Sequence, residues 1–364
     1  MISVLARRVA AKIDPPLFWI VCGLLALGFA TLYSAAHDAP GRAAAQAANI
    51  LVAIAVMWVA AQFQPQTWMR YAIPAFFIVL LLLAAVALFG DMRNGARRWL
   101  SLGFGSLQPS ELMKLAMPLM LARYFHGHQA SLGLRQYAVA AVLLAVPTWL
   151  IARQPDLGTA LLVAASGLYV IFLAGLSWKF ILGMSAAGLA SLPILWGVLH
   201  DYQRRRFVTL LDPTQDPLGA GYHIIQATIA VGSGGITGKG WLNGTQTHLE
   251  FIPERATDFI FAVYSEEFGL IGNGVLLALY LALITRGLMI TANAPTVFAR
   301  LLAGSITLTF FTYTVVNMGM VSGLLPVVGV PLPLFSYGGT SLATLSIGIG
   351  ILMGIQHHRT LVQT

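Results

Sequence analysis

Long apolar runs separated by short polar breaks occupy almost the whole chain, and each run is near the ~20 residues that carry a helix across a bilayer. Read at that length, the sequence predicts spans near 17–36, 44–63, 71–90, 109–125, 136–152, 157–175, 179–199, 259–285, 298–320 and 335–356. The fold class is therefore all-α, a polytopic integral membrane protein of about ten transmembrane helices forming one domain over 1–364. Two places break the rhythm. Residues 200–257 form a large loop between the seventh and eighth spans, and Pro326, Pro331 and Pro333 interrupt the apolar stretch after Asn317. There a re-entrant segment is the alternative to a plain crossing. Irregular backbone at membrane depth survives only where protein or a wet cavity covers it, so this stretch is expected to line a site. The first run follows Arg7, Arg8 and Lys12 and ends in Ser34-Ala35-Ala36, a superficial match to a secretory signal. It is long enough to span and many more runs follow, so an uncleaved first helix is the simpler reading.

Composition narrows the class further. Of the 364 residues 58% are hydrophobic and 9% charged, against roughly 25% charged in a soluble domain, which excludes a water-facing globule. The single Cys22 rules out an intramolecular disulfide and argues against a cysteine metal site. The net charge of +8 is dispersed among the spans instead of forming a basic tract with interleaved aromatics, so nucleic acid is not implied. Placing the N-terminus in the cytoplasm puts ten basic residues inside and eleven outside, a tie that departs from the positive-inside rule. The departure is local. Residues 91–114 hold four basic side chains and 201–257 hold five, while every acid but Asp14 lies on the outer side or in spans close to it. With both termini cytoplasmic, chemistry is expected at the outer membrane–water boundary, on an anionic ligand.

Polar constellations carry that expectation, each with a plainer alternative. Asn94-Gly95-Ala96-Arg97-Arg98-Trp99 sets two guanidinium forks suited to phosphate beside an indole at home among headgroups; an interfacial anchor reads the same way. In Gln108-Pro109-Ser110-Glu111-Leu112-Met113-Lys114, Glu111 and Lys114 share a helical face, marking a bundle-interior site or a structural ion pair. Asp156 in Gln154-Pro155-Asp156-Leu157-Gly158 belongs to a site or stabilises a first helical turn. The long loop opens with Arg204, Arg205 and Arg206 and carries a glycine run, Gly232 to Gly240, around Lys239. That run lacks P-loop spacing, so a nucleotide site is rejected. Asp258 stands where polar loop becomes apolar helix, placed to act as a general base on a sugar hydroxyl or simply to start the helix. Of Glu266 and Glu267, one is expected to face the interior.

Taken together, Gly95-Ala96-Arg97-Arg98-Trp99, Gln108-Pro109-Ser110-Glu111 with Lys114, Gln154-Pro155-Asp156-Leu157-Gly158, Pro253-Glu254-Arg255 with Thr257-Asp258-Phe259-Ile260-Phe261, and Gly323-Leu324-Leu325-Pro326 through Ser336-Tyr337-Gly338-Gly339 resemble the SEDS family, in order along the whole chain. Ala256 and Thr340 depart from the residues that family often has there, His and Ser. The resemblance implies a peptidoglycan glycosyltransferase of cell elongation in the cytoplasmic (inner) membrane, polymerising lipid II on the outer face and releasing undecaprenyl pyrophosphate. It implies a class B penicillin-binding protein as partner, with other elongation-complex membrane proteins. Asp258 would be the catalytic base, with Arg97, Arg98, Trp99, Glu111, Lys114, Asp156, Arg204, Arg205, Arg206 and Ser336 around the substrate. No residue spacing demonstrates a metal site; a divalent cation such as Mg2+ is an open possibility. A lipid II flippase and a non-catalytic scaffold for the penicillin-binding protein are the rivals, and a flippase would want polar residues along the whole crossing instead of clustered on one side.

Overall fold

The structure, a computed structural model, describes residues 12–37, 39–93, 96–101, 106–180, 220–249, 251–252 and 254–359, with scattered positions between 182 and 213. Helices α1 (Pro15–Ala35), α2 (Pro40–Gln62) and α3 (Pro65–Phe89) come first. Strands β1 (Asp91–Arg93), β2 (Ala96–Ser101) and β3 (Ser106–Leu107) follow, then α4 (Pro109–Gly127), α5 (Leu134–Ala152) and α6 (Leu157–Leu173). Beyond the long loop's α7 (Ala220–Ser233) and four-residue α8 (Thr245–His248) stand α9 (Ile260–Ala292), α10 (Val297–Val321) and α11 (Gly339–His358).

Among the described residues, seven helices are long and apolar enough to cross a membrane: α1, α2, α3, α5, α9, α10 and α11. The predicted spans at 109–125 and 157–175 coincide with α4 and the shorter α6. Most of the predicted seventh span, 179–199, lies outside the described residues. Four helices open on proline (Pro15, Pro40, Pro65 and Pro109), whose missing N–H is unneeded in a first turn. α10 and α11 are largely buried, and α10 packs on α4, α6 and α9 while α11 lies along α2. Leu51, Phe77, Leu81 and Trp149 point outward, an apolar exterior suited to lipid.

Two features depart from a plain helical bundle. The polar segment after α3 folds as a small antiparallel sheet, β1-β2-β3, with Asp91 opposite Trp99 and Arg93 opposite Ala96. Consecutive strand residues face opposite ways, so β2 separates Arg97 from Arg98. The second departure is a break inside α9 at Gly269, where φ is 61°. The glycine run of the long loop fills it. Lys239 and Gly240 donate their N–H groups to the carbonyls of Glu266 and Glu267, at 3.0 Å each, while Leu270 and Ile271 donate to Gly235 and Ile236 at 2.9 and 3.1 Å. Four backbone groups freed by the break thus find partners in the loop, as a nonpolar surrounding demands.

The residues between α10 and α11 run as irregular chain packed within the bundle. They fit because helices beside them carry glycine at the contact: a Cβ on Gly158 of α6 would lie 2.5 Å from the Val328 carbonyl. The predicted tenth span therefore starts late, at Gly339, and Ser336 belongs to the loop.

Replacing Gly269 by alanine sets a Cβ 2.3 Å from the Gly238 nitrogen in a left-handed conformation, at a cost of about 1–3 kcal/mol from the backbone alone. Gly274, on the same helix, has open space around its position. Gly269→Ala is expected to lower the melting temperature in detergent by several degrees, and Gly274→Ala to leave it unchanged or raise it.

Candidate active site

Asp258 sits two residues before α9, and its backbone is fixed by the loop from α10 to α11. Tyr337 N–H donates to the Ala256 carbonyl at 2.9 Å, the Ser336 hydroxyl donates to the Thr257 carbonyl at 2.7 Å, and the Asn317 amide donates to the Asp258 carbonyl at 2.8 Å. Asn317 also donates to Val330 at 2.7 Å, so one amide ties the loop to the Asp258 turn. From the other side, Gln46 of α2 donates to the Ser336 carbonyl at 3.3 Å. Gly329, in the same loop, faces the carboxylate directly: a Cβ there would stand 3.4 Å from Asp258 Oδ2.

The carboxylate is half-buried, and its electrostatics follow from that. Burial pushes the Asp258 pKa up to about 6, with the neighbouring charges of Glu254 and Asp156 adding to the rise. Asp156 is the N-cap of α6, accepting from Thr159 N–H at 3.2 Å, which is the helix-starting role its position suggested. It also accepts from the Gln108 amide at 3.2 Å and lies 3.9 Å from the Arg98 guanidinium. Arg98 donates to the carbonyls of Gln154 (3.3 Å) and Pro155, clamping β2 onto the turn before α6. Arg97, on the opposite strand face, is exposed, and Trp99 is half-buried.

Glu111 and Lys114 meet as an ion pair at 2.6 Å, buried where α4 faces α10. Lys114 also donates to the Tyr313 hydroxyl, and its ammonium lies 4.9 Å from that ring's centroid. Glu111 Oε2 has no partner among the described residues and borders a small cavity shared with Thr309 and Thr344. The structure thus shows the ion pair that the spacing allowed, buried inside the bundle.

Glu266 and Glu267 are both buried, where the sequence suggested one interior carboxylate. The reason is the break at Gly269: loop closes over one side and α1 over the other. Glu266 accepts from Lys239 Nζ (2.8 Å), the backbone of Gln246 (2.9 Å) and Thr247 (3.3 Å), and the hydroxyls of Thr245 and Thr247 (3.1 Å each). It thereby holds α8 by its N-terminus. Glu267 accepts from the Ser34 hydroxyl of α1. Arg255, buried three residues before Asp258, donates to Ala35 (2.8 Å) and Thr247 (3.0 Å) carbonyls, joining α1 to α8.

The structure thus gathers Arg98, Asp156 and Asp258 on one rim. Ser336 is there too, but its hydroxyl donates to Thr257 and accepts from Leu332 N–H at 2.8 Å, so it holds the backbone instead of presenting a free group to a ligand. Arg204 donates to the Gly197 carbonyl at 2.7 Å. Arg205 and Arg206 lie outside the described residues. Sequence reasoning names Asn317 only with the Pro- and Gly-broken stretch expected to line a site and Gln108 only within the motif around Glu111, and it passes over Gln46; the usable signal is an amide inside an apolar helix, costly unless bonded.

A polytopic helical membrane protein with two carboxylates and an arginine on one rim is the class defined so far. The chain belongs to the FtsW/RodA/SpoVE family, the SEDS family: the family model described as "Cell cycle protein" matches residues 16–361. It is 51% identical to peptidoglycan glycosyltransferase MrdB of Escherichia coli K12 over 352 residues, 96% of this chain and 95% of that one. It is 34% identical to the probable peptidoglycan glycosyltransferase FtsW of Aliivibrio salmonicida, covering 94% and 89%. Among solved structures, one of a peptidoglycan synthase complex that coordinates polymerization and crosslinking superposes with a TM-score of 0.84 at 35% identity, covering 95% of this chain and 98% of that one. The rod shape determining protein RodA of Thermus thermophilus superposes with a TM-score of 0.73 at 30% identity, covering 95% and 97%.

Asn317→Ala leaves two carbonyls without their donor, and a buried polar group left unmade costs about 1–3 kcal/mol. The variant is expected to melt several degrees lower and to turn over more slowly than a surface control such as Asn293→Ala, as read by thermal shift and by the assay below.

Proposed function

We propose that the chain is a peptidoglycan glycosyltransferase that polymerises lipid II on the outer face of the cytoplasmic membrane during cell elongation, with both termini cytoplasmic. The observation that carries this reading is Asp258: one carboxylate, backbone-fixed on three successive carbonyls, with its pKa raised to about 6. A base with that pKa is ionised at neutral pH yet more basic than an exposed carboxylate, which suits proton abstraction from a hydroxyl.

In the mechanism, Asp258 takes the proton of the acceptor N-acetylglucosamine 4-hydroxyl as that oxygen attacks C1 of the donor N-acetylmuramic acid, inverting its configuration. The C1–O bond to undecaprenyl pyrophosphate breaks, and the leaving group carries away the bonding pair. Preorganised cations are worth several kcal/mol on such developing charge. Arg97, exposed on β2, is one candidate for that role, with Arg204, Arg205 and Arg206 of the long loop as the others. Arg98, clamped on Gln154, Pro155 and Asp156, positions the rim and supplies positive potential from within it. The isoprenoid chain needs an apolar surface, and a groove of about 400 Å3 between α1 and α2, lined by Cys22, Leu25, Phe29, Ala47, Leu51 and Ile54, lies next to Gln46. Among the described residues no three His, Cys, Asp or Glu side chains converge on one point, so a divalent cation such as Mg2+ would be brought by the pyrophosphate. A class B penicillin-binding protein, crosslinking the new strands, is the partner this activity calls for.

Purified with that partner in detergent, where nothing can be flipped, the wild type should polymerise lipid II. Asp258→Ala and Asp258→Asn should lose about 10²-fold or more in rate while keeping the wild-type melting profile. Full activity in both sinks the role of Asp258 and favours a scaffold; a wild type that only moves lipid II across vesicles favours the flippase. The pH dependence carries a sign. Because the raised pKa makes the ionised carboxylate a net cost to the fold, the contribution of Asp258 to stability should improve as pH falls from about 6 toward 3.8, while kcat falls below pH about 6 as the base is protonated. Arg97→Ala should raise the KM for lipid II with expression unchanged; unaltered kinetics would remove Arg97 from the site.

A further inference from the structure

We propose that the small cavity between α4, α10 and α11 is a binding site for one water molecule, held by Glu111, Thr309 and Thr344 and independent of the activity proposed above. Glu111 and Lys114 border it from α4, Thr309 and Phe310 from α10, and Thr344 and Gly348 from α11. Its volume is about 20 Å3, and one buried water needs at least about 10–15 Å3. A ligand of one heavy atom is what the space admits.

The hydrogen-bonding state of the walls selects the occupant. Glu111 is only 6% exposed; its Oε1 accepts from Lys114 Nζ at 2.6 Å, while Oε2 has no partner among the described residues. An ionised carboxylate oxygen can only accept. The Thr309 hydroxyl donates to the Ser305 carbonyl at 2.8 Å, so its one proton is used and it too can only accept from a ligand. Thr344, also buried, brings a second hydroxyl. The occupant must therefore supply protons or be a cation, and charge decides between them. Lys114 already balances Glu111, so a cation would set a second positive charge against one carboxylate among Leu115, Ile306, Phe310 and Leu345. Water adds no charge. It can give one proton to Glu111 Oε2 and one to Thr309 and accept from Thr344, about three bonds being usual for a buried water.

Its placement gives it a consequence. Lys114 already ties α4 to α10 through the Tyr313 hydroxyl. The water would bring in α11 through Thr344, so that one buried carboxylate serves three helices. Tyr313 stands four residues before Asn317 on α10, and Thr344 five residues after Gly339 on α11. The two helices that flank the loop holding the Asp258 turn would thus be pinned to the same group, away from the substrate.

The test uses the full chain in detergent. A crystallographic or electron-microscopy map fine enough to show ordered waters should place one peak about 2.7–3.0 Å from Glu111 Oε2 and at a similar distance from the Thr344 hydroxyl. Thr344→Ser keeps the hydroxyl and should keep the peak. Thr344→Val keeps the shape without the hydroxyl and should lower the melting temperature by a few degrees. The control is Thr314→Val, at a buried threonine whose hydroxyl donates to the Phe310 carbonyl of its own helix at 2.9 Å; it should melt close to the wild type. Wild-type melting should be equal in sodium, potassium and choline chloride at one ionic strength. A wild-type map without the peak, or Thr344→Val melting no lower than Thr314→Val, overturns the proposal. So does a melting temperature higher in sodium or potassium than in choline, which would make the occupant a cation. Because the readouts are density and melting, the outcome does not depend on whether the protein polymerises lipid II.

Discussion

Every backbone N–H and C=O that leaves a helix inside a bilayer needs a partner supplied by the protein, and the site is organised by how that demand is met. Three consecutive carbonyls, from Ala256 to Asp258, accept hydrogen bonds from Tyr337, Ser336 and Asn317. The irregular chain between α10 and α11 has lost its own ladder; the turn before α9 has not yet begun one. Each completes the other, and the carboxylate between them is fixed as a result. The close seat of Val328 on Gly158 then brings Asp156 and its arginine to the same rim.

Charge is distributed by the same economy. Asp156 meets Arg98, Glu111 meets Lys114, Glu266 meets Lys239, and Asp14 meets Arg286 at 2.5 Å at the opposite end of the bundle. Asp258 is different: burial raises its pKa, and two other carboxylates, Glu254 and Asp156, add to the rise. Perturbed groups in such surroundings mark working sites more often than structural ones. Among the described basic residues of 91–114 and 201–257, Arg98 and Lys239 thus position other groups, while Arg97 is exposed.

Much of the fold was legible because lipid imposes a length on every crossing: the runs from Leu17, Pro109, Leu157 and Phe298 each became a helix within a few residues of the expected bounds. The sheet at 91–107 was not, since three short strands leave no periodic signal distinct from an ordinary loop. Nor was the break at Gly269, because its cause is a glycine run some thirty residues upstream and no local pattern records such a partner. In the site, Asp258 could be picked out by its place at a polar-to-apolar boundary. The bonds of Asn317 could not be read, because its two acceptors lie 59 and 13 positions away along the chain. The glycine run around Lys239 carried the opposite lesson: a segment resembling a phosphate cradle is occupied by Glu266 and by the backbone of α9.

That occupation also sets an order of events during biosynthesis. A ribosome makes residues 234–240 before it makes α9, so the segment that must supply hydrogen bonds at Gly269 already exists when the helix enters the membrane. Until the two meet, four backbone groups of α9 are without partners in the least forgiving solvent a protein encounters. Closure of the long loop on α9 completes those four groups together, and the same closure brings Glu266 to α8 and Arg255 to the Thr247 carbonyl. The turn bearing Asp258 takes its hydrogen bonds from Asn317, Ser336 and Tyr337, all of them made later still, so its geometry waits on the two helices that follow it in the chain.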